Sequence, residues 1–250
     1  MKAFVRTALV VAGVGFGVGI TLSPIWSFAA GNPIGDPRNK VISLIPPIVR
    51  TTSMVPVNFI LEGHHFRIPR AYFSTESYWG GGTVTSIVMK GTLPGLKPYS
   101  EETKHHYDSG IPGLQEQVPF WIEGYSGEGT GPHLKYFVSE FLEKCTDGPF
   151  GFRICQDFVS ENNHVFLKQD GRRQIALRCE KEGVASTLIC GINLPLMDGI
   201  YLHLNIDRSK LAQTETIITI AYNVVCSFYV DSPGRSITYN YCRNGVFHRQ

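Results

Sequence analysis

The sequence predicts an α+β fold in which a long C-terminal helix packs on an antiparallel sheet, the whole stapled by disulfides. Three observations carry this. Apolar and polar residues alternate through the runs between Val165 and Ile206, with turn-forming pairs between them. From Leu211 to Phe228 the apolar residues instead recur every three or four positions. Six cysteines follow an N-terminus built like an export signal.

That N-terminus comes first. Lys2 and Arg6 precede an apolar run from Thr7 to Leu22, and Ser27-Phe28-Ala29 offers small residues at the −3 and −1 positions of a cleavage site. Residues 1–29 therefore read as a signal peptide. The alternative is an uncleaved membrane anchor over residues 7–28, where Gly13/Gly17 and Gly15/Gly19 have the spacing of packed transmembrane helices. Either reading places the rest of the chain in the periplasm, free or facing it from the inner membrane. Cleavage would remove two of the 23 Lys+Arg and none of the 21 Asp+Glu, leaving an even charge balance. Without clustered basic residues, a nucleic-acid partner is not expected.

Residues 30–56 carry Pro33, Pro37, Pro46, Pro47 and Pro56 and predict an extended tether. A single α+β domain is expected over 57–250. Val57–Leu61 and Phe66–Pro69 read as strands joined by the Glu62-Gly63 turn. A third run, Thr83–Met89, follows three glycines, and Pro94 and Pro98 close the region. Residues 101–132, rich in glycine and polar residues, read as a loop. Leu134–Leu142 suits a helix or a strand.

The clearest β signal is the pair Val165–Leu167 and Gln174–Cys179 around the Asp170-Gly171 turn. A second turn, Glu182-Gly183, leads into Ser186–Cys190, and counting outward from it places Cys179 nearly opposite Cys190. Ile200–Ile206 alternates again. The helix follows, with Asp207 or Ser209 as its cap and Cys226 near its end, within reach of Cys242. Cys145 and Cys155 complete the set of disulfide cysteines with their partners left open. Exported chains oxidise their cysteines, and no Cys-x-x-Cys is present to hold zinc or exchange disulfides.

Catalytic signals are weak. Ser126 lies in Gly124-Tyr125-Ser126-Gly127-Glu128, where a nucleophile elbow requires glycine at the last position. His64-His65 and His105-His106 lack metal-ligand spacing, and adjacent histidines on a strand face opposite ways. No phosphate-binding glycine loop occurs. No catalytic residue, metal ligand or cofactor is therefore assigned. The segment around Arg67, Arg70 and Tyr72 has the composition of a protein contact, with arginines bracketing a stiffening proline. The competing reading packs Phe66, Ile68 and Tyr72 in the core.

Phe66–Tyr72, Leu93-Pro94 through Pro98, the Cys179/Cys190 hairpin and the helix with Leu211 and Ile217 together resemble a diffuse group of small exported proteins of Gram-negative bacteria. Some of these are immunity partners of interbacterial toxins, including those of type VI secretion. The resemblance implies an exported binding protein that masks a protein partner. Two other classes compete with it: an envelope hydrolase assembled from dispersed residues such as His133, Ser126 and an acid, and an anchored structural component of an envelope assembly.

Overall fold

The computed structural model describes residues 48–108, 116–125, 145–156, 161–170, 173–183, 188–230 and 241–244. The export segment, the tether before residue 48, Ser126, His133 and the 134–142 segment lie outside the described residues.

The first hairpin pairs β1 (Pro56–Leu61) with β2 (His64–Pro69) in the register Phe59–Phe66. Glu62 and Gly63 turn the chain with φ of 49° and 74°, the positive pair that matches the twist of a two-residue hairpin. Val57, Phe59, Leu61, His64, Phe66 and Ile68 face inward and are buried. A short β3 (Gly82–Thr83) then runs parallel to β1. Gly81, at φ +65°, makes this return possible, because a Cβ there would overlap the Asn58 carbonyl oxygen.

The expected antiparallel β-structure with its C-terminal helix is present, and its strands divide between two sheets. The small sheet has the order β12-β2-β1-β3, with β12 spanning Tyr229–Val230. The larger has the order β4-β5-β11-β10-β9-β8-β7-β6 and is antiparallel throughout. Its strands are β4 (Ser86–Thr92), β5 (Gln117–Gly124), β6 (Thr146–Asp147), β7 (Arg153–Gln156), β8 (Asn163–Asp170), β9 (Arg173–Glu180), β10 (Ile189–Met197) and β11 (Ile200–Asp207).

The expectation of a loop over 101–132 is overturned by α1 (Lys104–Asp108) and β5. Val118, Phe120 and Ile122 alternate into the core as any half-buried strand requires. The glycines from 124 onward and Pro119 mask that period in the sequence. The ladder to β11 stops at Phe120–Leu204, one residue short of the proline, which has no N–H to give.

The C-terminal helix forms as its stripe predicts, but later than expected. Asp207 accepts the Ser209 N–H at 2.8 Å and caps a 3-10 stretch, Arg208–Gln213. The α-helix α2 starts only at Thr214 and runs to Phe228. Its Ile217, Ile218, Ala221, Tyr222 and Val225 join one core with Phe59, Phe66, Phe120, Leu177 and Leu194 from both sheets. The Tyr222 hydroxyl donates to the Pro195 carbonyl at 2.8 Å, fixing the helix against β10.

All six cysteines are bridged. Cys179 and Cys190 are register partners on β9 and β10 and are joined as the hairpin count predicts. Cys226 reaches Cys242 on α3 (Tyr241–Asn244), where the Tyr222 and Tyr241 rings stack at 3.9 Å. Cys145 pairs with Cys155. The last bridge sits on the far face of the large sheet in a separate small cluster with Val165 and Leu167.

Candidate functional site

Strand alternation decides what the Arg67–Tyr72 segment can do. Phe66 and Ile68 are fully buried, so Arg67 between them faces outward and is exposed, opposite Asn58. Pro69 ends the strand and leads into a 3-10 turn, Arg70–Tyr72. This turn is strapped to the incoming chain: the Arg70 N–H donates to the Val55 carbonyl at 3.1 Å and the Ala71 N–H to the Ser53 carbonyl at 2.9 Å. Met54 and Val55, held by that strap, are 59% and 56% exposed.

Arg70 is half-buried, its guanidinium 5.5 Å from the centre of the Trp79 ring. Trp79 is positioned by the 3-10 turn Glu76–Tyr78 before it and the glycines after it. Arg70 Nε and the Trp79 indole N–H are both buried without an acceptor. Exposed Met54 and Arg67 beside an Arg–Trp pair make a ledge of the residue types enriched at protein contacts, and Val55 adds apolar surface to it.

Tyr72 is placed differently from the two arginines. It is 7% exposed, with its ring edge-on to Phe228 at 5.0 Å and to Phe120 at 6.1 Å. Burial pushes its phenol up to about 12. It supports the ledge from the core and does not line it.

The histidine pairs separate as strand geometry requires at His64, which is buried, and His65, which is exposed. His105 and His106 lie on α1, and His106 Nδ1 is 3.0 Å from Glu116. Among the described residues no group of three or more His, Cys, Asp or Glu side chains is arranged to hold a metal ion.

A second cluster escapes sequence reasoning altogether. On the outer face of the large sheet, cross-strand pairing lines up Val88, Trp121, His203 and Asn193 in one row and Ser86, Glu123, Tyr201 and Pro195 in the next. The Trp121 and His203 rings stack in parallel at 4.8 Å. His203 Nδ1 and Asn193 Oδ1 share a hydrogen bond at 2.6 Å. His203 Nε2 is buried with no hydrogen-bond partner and faces Glu123 Oε2 at 3.4 Å. The Tyr125 hydroxyl donates to the same carboxylate oxygen at 3.3 Å, and Tyr125 packs edge-on against Tyr201. Burial lowers His203 to about 4, which keeps the imidazole neutral at physiological pH. The polar halves of two strand periods were visible in the sequence, but nothing there said that β5 and β11 are neighbours.

No family model matches the chain, and no curated protein matches it by sequence. Solved structures do match. One is an immunity protein of the Stenotrophomonas maltophilia type IV secretion system, with a TM-score of 0.52 at 12% identity over 72% of this chain and 95% of the other. Another, an iron-regulated outer membrane lipoprotein of Neisseria meningitidis, gives a TM-score of 0.46 at 14% identity over 73% and 96%. The resemblance to exported immunity proteins thus holds at the level of the fold, with a neighbour from a type IV system where type VI was expected, and the chain is a disulfide-stapled α+β protein of that architecture.

Proposed function

We propose that this is an exported protein of the bacterial envelope, resident in the periplasm, that binds and masks a single protein partner, with a toxin as the partner class. The observation that carries the reading is the ledge: Met54 and Val55 exposed beside Arg67 and the Arg70–Trp79 pair, on a scaffold whose cysteines are all bridged. Masking requires no chemistry of its own, only a rigid surface that reaches the partner's working parts, and pre-ordered backbone lowers the entropic cost of that contact. The fold shared with an immunity protein supports the same reading.

The test is capture from envelope extracts with the oxidised mature chain as bait. One stoichiometric partner is expected, and Arg67→Glu and Met54→Asp should each weaken its capture at least tenfold, about 1.4 kcal/mol. Repeated recovery of no partner, or capture indifferent to both substitutions, would overturn the proposal.

A further inference from the structure

The cluster around Glu123 is built on a different sheet from the ledge, and its chemistry is incomplete as it stands. Glu123 is an intermediate-exposure carboxylate, 37% exposed, whose neighbours are His203 and the Tyr125 hydroxyl, with no cation beside it among the described residues. His203 Nδ1 lies 2.6 Å from Asn193 Oδ1, and its buried Nε2 lies 3.4 Å from the Glu123 carboxylate oxygen.

The surroundings of Glu123 say which cation fits. Trp121 precedes Glu123 by two residues on the same strand face, Tyr201 is its direct cross-strand partner, and Tyr125 reaches its carboxylate. A carboxylate among three half-buried aromatic rings offers charge at one end and π faces along the sides. A guanidinium satisfies both, because it is flat, stacks on rings and presents paired N–H donors to a carboxylate. A lysine ammonium would meet the charge but not the planar walls.

We infer that the Trp121–Glu123–Tyr125–Tyr201 face is a receptor site for an arginine side chain of a protein partner, with Glu123 pairing the guanidinium and the aromatic rings flanking it. His203 is a positioning residue here, stacked beneath Trp121 and held by Asn193.

The experiment is an NMR titration of the intact oxidised chain with Nα-acetyl-arginine amide, read at the Trp121 indole N–H and the His203 ring nitrogens. Saturable shifts at both are expected, with none from the isosteric citrulline amide. Glu123→Gln should weaken binding at least tenfold, and Tyr201→Ala several-fold, while amide shifts elsewhere show that each variant is folded. Glu123→Asp, which keeps the charge, should retain part of the affinity. Absence of shifts at the highest soluble probe concentration, equal binding of citrulline amide, or undiminished binding by Glu123→Gln would each overturn the inference. Tighter binding of tetramethylammonium than of the arginine probe would overturn it too, in favour of a small quaternary cation. The titration needs no natural partner, so its failure leaves the ledge proposal untouched, and failure of partner capture leaves this site standing.

Discussion

Cys179 and Cys190 stand directly opposite each other on β9 and β10, their Cα atoms 4.0 Å apart, and both are fully buried. The bridge is therefore part of the main core as well as a cross-link. Replacing both cysteines with alanine should cost about 3 kcal/mol, from restored freedom of the unfolded chain and from lost packing. The Cys145–Cys155 bridge closes a loop of similar size but belongs to the small outer cluster. Its double alanine variant should lose less. Urea unfolding of the two variants checks the order, and equal losses would contradict it.

His203 makes a pH signature. Its folded value, about 4, lies below the ordinary 6.5, so the unfolded chain binds more protons between those values. Stability from this group is complete above pH 6.5 and declines as the pH falls toward 4, by about 3 kcal/mol at most. Denaturant unfolding at pH 7 and pH 4.5 should show a smaller drop for His203→Gln than for the natural chain. Identical drops would mean that the imidazole titrates normally.

Tyr72 separates core from contact. Tyr72→Ala should cost about 3–5 kcal/mol through the cavity left between Phe120 and Phe228. Tyr72→Phe, which keeps the ring, should capture a partner as well as the natural chain does. A selective loss of capture in the phenylalanine variant, with stability retained, would instead place the hydroxyl in the interface.

Gly81 links backbone conformation to the ledge. A side chain there meets both a positive φ and the Asn58 carbonyl, so Gly81→Val should destabilise by about 2 kcal/mol or more. The displaced turn also carries Trp79, so the Arg70–Trp79 contact should loosen, seen as a change in Trp79 fluorescence. A variant of natural stability and spectrum would show that the turn adapts without moving the tryptophan.

What the sequence disclosed follows the range of the interactions involved. The β1–β2 turn, the Cys179–Cys190 hairpin and the helix stripe from Ile217 to Phe228 are set within a few residues of themselves, so period and turn chemistry reveal them. The return of β3 beside β1 depends on Gly81, which lets the chain pass Asn58, and β5 is defined on one side by β11, about eighty residues further along the chain. The contact segment was half legible. Alternation separates exposed Arg67 from its buried neighbours, but only the 3-10 turn after Pro69 shows that Tyr72 swings inward while Arg70 reaches Trp79. His203 and Glu123 meet through β5–β11 pairing, which no local pattern encodes.

Each bridge in this molecule joins a cysteine to the very next one along the chain: 145 to 155, 179 to 190, 226 to 242. A polypeptide threaded head-first across a membrane would present its thiols in that same sequence, so an oxidase that simply ties each newcomer to its predecessor produces the finished pattern. Such a chain would mature without help from a disulfide-shuffling catalyst.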